Sequence, residues 1–178
     1  MPKRKLGMDV LTAAKQRIEY VFDNFDRIYI SFSAGKDSAV MLHLVMAEAI
    51  KRNKVIGCLF IDWECQISLT IEFAKQMFEF YADNIEPYWV ALPMKTWNAT
   101  SQFEPEWTAW DENKKDLWVR QPEKISIIDK SFFPFYHDEM SFEEFVPMFG
   151  EWYANGDSCA AFVGIRADEI LNRFRAIA

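Results

Sequence analysis

The sequence predicts an α/β protein with an open, mainly parallel β-sheet of four or five strands and helices on both faces. Short apolar segments that fit strands alternate along the chain with segments whose apolar residues recur at helical spacing. The segment 55–61 is almost wholly apolar, which is typical of a strand buried on both faces. Strands that alternate with helices in this way favour a parallel sheet covered by helices.

Local signals place the individual elements. Asp9 can cap the first helix, and Ser141 opens a later helix with a capping box in which Glu144 bonds back to the Ser141 amide. Segments rich in β-branched and aromatic residues predict the strands. The predicted helices are 9–25, 37–52, 68–82 and two that begin at Ser141 and Asp168, and the predicted strands are 27–32, 55–61, 85–92 and 159–165.

Charge and length limit the classes of protein that fit. The 178 residues include 27 acidic and 20 basic ones, so the formal net charge is −7. That charge argues against non-specific binding to DNA or to anionic membranes, which depends on Lys and Arg. It leaves room for a local basic pocket. The length predicts a single domain, residues 1–178, with a core of its own.

Cysteine and hydropathy patterns favour a reduced, cytoplasmic protein. Cys58, Cys65 and Cys159 have no metal-binding spacing, and the two histidines lie far apart. We therefore expect no iron–sulfur cluster and no zinc site, and we assign no metal-ligating residues. No secretory leader opens the chain, and no apolar stretch reaches the roughly 20 residues of a membrane helix. A helix N-terminus could activate the thiol of Cys65, but an inert thiol is favoured because nothing adjacent is basic. His43 is expected to be structural.

An aromatic-rich insertion at about 94–140 interrupts the alternation of strands and helices. Such long connections are usually functional or disordered, and its many aromatic residues argue against disorder. They could stack nucleobases, or they could pack internally or form a protein interface. The nearby basic residues are offset by acidic ones, so packing or an interface is favoured over nucleic acid.

The loop 33–38 carries the clearest chemical signal. It lies between a predicted strand and the next helix and reads Ser-Ala-Gly-Lys-Asp-Ser. Small residues let backbone amides approach a ligand, and the helix directs free N–H groups and its positive end at the same point. The spacing excludes a Walker-type P-loop. The alternative is an ordinary turn in which Asp37 starts the helix, but the sequence favours a phosphate site.

This loop resembles the PP-loop, usually Ser-Gly-Gly-Lys-Asp-Ser, of adenine-nucleotide α-hydrolase-like proteins, which have a Rossmann-like fold. Phe60-Ile-Asp-Trp-Glu and Val163-Gly-Ile-Arg-Ala-Asp-Glu resemble segments of the phosphoadenosine phosphosulfate (PAPS) reductase family. The aromatic block 97–118 is similar to the branch that contains the immunoglobulin-binding regulator A proteins. That branch implies a ParB-like protein partner, which the aromatic insertion could contact.

The resemblance implies a nucleotide site. Phosphates would be held by the loop residues and by Arg166, the nucleoside would lie beside Phe60 and Asp62, and Gly164 would allow close backbone approach. Lys36, Asp37 and Arg166 are the expected catalytic residues. The implied phosphate-binding loop residues are Ser33, Ala34, Gly35, Lys36, Asp37 and Ser38.

The implied ligand is ATP or PAPS, with Mg²⁺ assisting, and the implied activity is sulfonucleotide reduction or ATP pyrophosphatase (adenylating) chemistry. The alternative is a non-catalytic, nucleotide-sensing regulatory subunit. Ala34 departs from the family glycine; its methyl group is tolerated if φ is negative, and it could narrow the pocket. The chain also lacks the reductases' Glu-Cys-Gly-Leu-His segment, so we expect a family C-terminal region to be missing and reduction to need another component.

Overall fold

A computed structural model describes residues 7–98 and 100–165 and confirms the predicted fold class. A parallel sheet has the strand order β3-β2-β1-β6, and an antiparallel hairpin of β4 and β5 lies apart from it. The helices are α1 (Val10–Asn24), α2 (Lys36–Lys51), α3 (Ser68–Phe80) and α4 (Phe142–Ala154), and a 3₁₀ helix covers Glu112–Leu117. The strands are β1 (Arg27–Ser31), β2 (Ile56–Ile61), β3 (Ile85–Val90), β4 (Met94–Trp97), β5 (Glu106–Ala109) and β6 (Cys159–Val163).

The capping signals act as the sequence indicates. Asp9 accepts a hydrogen bond from the Thr12 amide at the start of α1. The Ser141 hydroxyl accepts from the Glu144 amide, and the Glu144 carboxylate accepts from the Ser141 amide, so the predicted capping box opens α4. These bonds satisfy amides that a helix cannot pair internally, which defines where each helix begins.

The sheet lies between two layers. All six residues of β2 are buried, as expected for a central strand with helices on both faces. One apolar cluster joins one face of the sheet to α1, α2 and α3. A second cluster joins the other face to α4 and to part of the insertion, including Phe133. The chain is therefore a three-layer α/β/α arrangement over the described residues.

The strand order reverses beside β1. From β1 the chain proceeds outward through β2 to β3, then returns to add β6 on the other side of β1. Ligands of open parallel sheets bind at the carboxyl ends of the strands where the order reverses. In this fold that crevice lies between the carboxyl ends of β1 and β6.

The insertion contains regular secondary structure that the sequence does not predict. It forms the β4–β5 hairpin, and residue Ile127 hydrogen-bonds to Trp89 and Ala91, which extends the edge of the sheet beside β3. Trp110 and Phe133 are buried, which supports internal packing for these two aromatic residues. No helix within residues 7–98 and 100–165 is long and apolar enough to span a membrane.

Candidate functional site

The loop Ser33–Ser38 lies at the carboxyl end of β1, on one side of the crevice. Its shape is held by hydrogen bonds among its own residues. The Ser38 hydroxyl donates to the Gly35 carbonyl (3.0 Å) and lies 3.0 Å from the Ser33 hydroxyl. The Ser33 amide donates to Ser38 Oγ at 3.3 Å. Ser38 is buried, so its hydroxyl shapes the loop from inside while Ser33 remains exposed.

The N-terminus of α2 is open toward this crevice. Gly35 is the N-cap and provides no side-chain cap, and the first bond within the helix runs from the Ala39 amide to the Gly35 carbonyl (2.9 Å). Within the described residues, the preceding amides of residues 36–38 have no backbone or side-chain acceptor. Lys36 is exposed at the same end and adds a full positive charge. Free amides, the helix dipole and an ammonium group together suit an anion.

Gly164 closes the other side of the crevice. A Cβ atom at this position would lie 2.9 Å from the Cα atom of Ser38 and 3.0 Å from its backbone nitrogen. The segment after β6 thus passes directly against the first turn of α2, and only a glycine permits that distance. The close approach at Gly164 is made to the helix that follows the loop Ser33–Ser38, and a role for Gly164 beside a nucleotide stays a prediction.

Ala34 does not meet the condition derived from the sequence. Its φ is +56°, in the left-handed region, where the methyl group of an L-residue is strained by about 1 kcal/mol. The family glycine avoids this cost. The condition under which the methyl group is tolerated without strain is therefore not met, and hydrogen bonds around Ser33 and Ser38 hold the turn.

Asp62, at the carboxyl end of β2 and predicted to lie beside the nucleoside, is engaged in contacts within the protein. Its side chain is 0% exposed. One carboxylate oxygen accepts from the Trp89 indole N–H at 2.8 Å, and the other accepts from the Glu64 amide at 3.0 Å and from the Arg120 guanidinium. Its oxygens are already engaged by protein donors, so Asp62 is a structural anchor.

Glu64 joins the same loop to the aromatic insertion. Its carboxylate accepts from the backbone amides of Trp110 (3.0 Å) and Val119 (3.2 Å). The Trp110 indole donates to the Asp62 carbonyl at 2.6 Å, and the Arg120 guanidinium lies 5.1 Å from the Trp110 ring centre. We call Asp62, Glu64, Trp110 and Arg120 the clasp. It fastens the insertion to the carboxyl edge of the sheet.

Sequence reasoning missed Glu64 and Arg120. The sequence does contain one signal for such contacts. Two carboxylates stand two residues apart directly after a wholly apolar strand, and carboxylates buried there need hydrogen-bond donors from elsewhere in the chain. The donors that the insertion supplies lie 46 to 58 residues away along the chain, beyond the reach of a local pattern. Phe60, predicted to lie beside the nucleoside, is fully buried and packs on Trp89 with ring centres 4.6 Å apart.

The thiols are not activated. Burial raises the pKa of Cys65, and the nearby Glu64 carboxylate raises it further, so the preceding carboxylates oppose any effect of the helix N-terminus. Burial also raises the pKa of Cys58 and of Cys159. Among the described residues, no group of three or more His, Cys, Asp or Glu side chains could hold a metal ion. His43 Nδ1 lies 2.6 Å from the Tyr81 hydroxyl, in a structural contact.

The remaining predicted residues divide in two groups. Gly35, Lys36 and Asp37 lie together at the start of α2, with Asp37 half-buried in its first turn. Arg166, the predicted phosphate or sulfate contact, and the helix predicted from Asp168 lie outside the described residues.

Comparisons with known proteins agree with this architecture. A model of the phosphoadenosine phosphosulfate reductase domain matches residues 27–176. An uncharacterized protein of Escherichia coli strain K12, YbdN, is 47% identical over 177 residues. The alignment covers 99% of this chain and 43% of that relative, so the chain spans less than half of the relative's length.

Proposed function

Since the chain belongs to the phosphoadenosine phosphosulfate reductase domain family, we propose that it binds an adenine nucleotide, ATP or PAPS, with the phosphates in the loop Ser33–Ser38. The observation that supports this most directly is the open N-terminus of α2 at the point where the strand order reverses. An anion there meets amides that have no acceptor among the described residues, the positive end of a helix and Lys36, in a protein whose overall charge of −7 repels anions.

With ATP, the supported chemistry is attack on the α-phosphate with pyrophosphate as the leaving group. The amides of residues 36–38 and the ammonium group of Lys36 would stabilise the charge that develops on pyrophosphate. Mg²⁺ commonly takes one or two carboxylates together with substrate phosphates, and Asp37 is the carboxylate available in the loop. Arg166 would hold a further phosphate oxygen.

With PAPS, the same loop and Arg166 would hold the phosphate and sulfate groups. A thiolate would attack sulfur and displace the adenosine bisphosphate, which forms a thiosulfonate. A second thiol would then attack the sulfur of the first, forming a disulfide and releasing sulfite. Cys65 is a poor candidate because its pKa is raised. The nucleophile would therefore come from another part of the protein or from a partner.

A second candidate is a regulatory subunit that binds the nucleotide without turnover, acting with a ParB-like partner. The absence of an activated thiol among the described residues, together with the raised pKa of Cys65, favours this alternative over reduction by these residues alone. It shares the nucleotide site with the enzymatic candidate, so the two differ only in whether a product forms.

Calorimetric titration with ATP and with PAPS tests the shared site. We expect saturable binding of one of them, and Lys36→Ala should weaken it at least tenfold. Lys51→Ala is the matched control, because Lys51 is exposed at the opposite end of the same helix and its loss changes the net charge equally. Equal weakening by both variants, or binding of neither nucleotide, contradicts the proposed site.

Product assays then separate the candidates. Pyrophosphate release from ATP supports adenylating chemistry, and sulfite release from PAPS with a thiol donor supports reduction. Binding without either product, in the presence and absence of the longer homologous protein, supports the regulatory role.

A further inference from the structure

The β4–β5 hairpin displays aromatic side chains that nothing in the described structure covers. Trp97, at the end of β4, is 72% exposed, and Phe103, in the loop between the strands, is 96% exposed. They differ from Trp110 and Phe133 of the same insertion, which are buried. Exposed large aromatic residues are enriched at protein interfaces.

Two concave regions adjoin this hairpin and share Lys95. One has a volume of about 310 Å³ and is bordered by Trp97, Glu106 and the start of α4. The other has a volume of about 270 Å³ and continues past Thr108 to the 3₁₀ helix. Lys95 pairs with Thr108, and Trp97 pairs with Glu106, so these four side chains lie on one face of the hairpin.

Carboxylates dominate this surface, which we call the acidic trough. Six acidic residues line the two concave regions against the lysines Lys95 and Lys130, which leaves an excess of four negative charges. The ammonium groups of both lysines already contact carboxylates, as in the pair of Lys130 with Asp138 at 2.7 Å. The acidic residues of the trough are Glu106, Asp111, Glu112, Asp138, Glu139 and Glu143.

We propose that the acidic trough, with Trp97 at its end, is the docking site of an extended, arginine- and lysine-rich segment of a partner protein. Cationic side chains would pair with the carboxylates that exceed the lysines. Their guanidinium groups and aliphatic stems would lie on the Trp97 ring, which attracts a cation to its face. This inference is independent of nucleotide binding.

Charge decides among the occupants. A nucleic-acid strand would place phosphates against the carboxylates, and a second copy of this chain would bring the same acidic face or another part of a molecule with net charge −7. Both meet repulsion, whereas a basic segment meets complementary charge and an aromatic platform. The same complementarity would accelerate association at low ionic strength.

Fluorescence anisotropy with a short labelled peptide of alternating arginine and alanine tests the proposal at near-physiological salt. We expect Trp97→Ala to weaken binding about tenfold. The matched control is Phe80→Ala, since Phe80 is also 72% exposed but lies on α3, away from the hairpin. The control should change the affinity less than about twofold.

A second pair of variants distinguishes the effect of the trough on peptide binding from the effect of the protein's net charge. Glu106→Gln combined with Glu143→Gln removes two charges from the trough, and Glu79→Gln combined with Asp83→Asn removes two exposed charges beside α3. Only the first combination should weaken the peptide, with both proteins unfolding at similar temperatures. Equal weakening by the two combinations overturns the proposal, because binding would then follow net charge alone.

The other occupants give distinct results. A single-stranded oligonucleotide, or a peptide of alternating glutamate and alanine, that binds as tightly as the arginine peptide would overturn the basic-segment assignment. Sedimentation that reveals a dimer abolished by Trp97→Ala would assign the surface to a second copy and overturn it as well.

Discussion

The loops that follow β1 and β2 share a backbone conformation but differ in how their polar groups are hydrogen-bonded. In each loop the third residue after the strand adopts a left-handed backbone conformation, with φ of +56° at Ala34 and +61° at Glu64. After Ala34 the chain enters a helix whose first amides have no acceptor among the described residues. In the loop after β2, by contrast, the buried carboxylates of Asp62 and Glu64 accept hydrogen bonds from the insertion.

The difference shows that position at the carboxyl edge of a parallel sheet is not sufficient for a ligand site. Both loops hold polar residues at that edge, but they differ in their free charge. In the first, amides without an acceptor among the described residues lie beside the exposed ammonium group of Lys36, whereas in the second the Arg120 guanidinium is engaged by Asp62. At the second, Asp62 and Glu64 place negative charge before α3, which disfavours an anion there. One loop is suited to bind a ligand, and the other holds the protein together.

Arg120→Met should produce the largest effect. It leaves the Asp62 carboxylate buried without its cation, so we expect the free energy of unfolding to fall by about 3 kcal/mol in urea titrations. Lys36→Met, which removes a positive charge from the first loop, should change it by less than about 0.5 kcal/mol.

The double variant Asp62→Asn with Arg120→Met refines that test. It removes both charges, so part of the lost stability should return. An Arg120→Met protein that unfolds at the same urea concentration as the unaltered chain would show that the clasp is not structural.

Gly164→Ala should have the second-largest effect on stability. The added methyl group would meet the backbone of Ser38 at under 3.0 Å, so α2 and β6 must move apart, at a cost of about 2 kcal/mol. Nucleotide affinity should fall with it, because the free amides shift. At Gly150 a Cβ would lie 3.5 Å from the Tyr29 hydroxyl, an ordinary contact, so Gly150→Ala in helix α4 should be neutral or stabilising.

Ala34→Gly should stabilise the protein by about 0.5 kcal/mol. Glycine adopts a positive φ without strain, and this relief outweighs the larger conformational entropy that glycine gives to the unfolded chain. Ala47→Gly, at an exposed position inside α2, should instead destabilise by about 1 kcal/mol. If thermal unfolding gives both variants the same sign, the left-handed conformation at Ala34 is contradicted.

Cys65 provides the most subtle comparison. Its thiol pKa is raised by burial and by Glu64, so the thiolate is scarce at neutral pH. Alkylation by iodoacetamide should be slower than in the urea-unfolded chain at pH 7, and its rate should rise with a midpoint above the roughly 8.5 of a free thiol. A midpoint below that value would mean that the loop after β2 activates a nucleophile.

The sequence predicts the fold more completely than the site. Apolar runs place β1 and β2 to within a residue or so, and the capping box places the start of α4, because these signals are local. The β4–β5 hairpin escapes prediction because its strands have four residues each, too few to show a period. The loop Ser33–Ser38 is equally local, so its residues could be identified as a candidate anion site.

The clasp could not be predicted in the same way. The ion pair of Asp62 with Arg120 joins residues 58 positions apart, and its existence depends on how the insertion folds back over the sheet. A ligand-binding carboxylate and a structural one look the same in a sequence. Burial and the number of donors already in contact distinguish them, and both are properties of the folded chain.

Chemical-shift perturbation of backbone amides by inorganic pyrophosphate and by ATP tests the contrast between the two loops most directly. We expect the largest saturable shifts at Gly35, Lys36 and Ser38, with a smaller response at Gly164, which packs on the same turn. Pyrophosphate should leave the amides of Asp62 and Glu64 nearly unchanged. Larger shifts around Asp62 than around Lys36, or no saturable shift in either loop, would contradict the assignment of the anion site to the loop after β1.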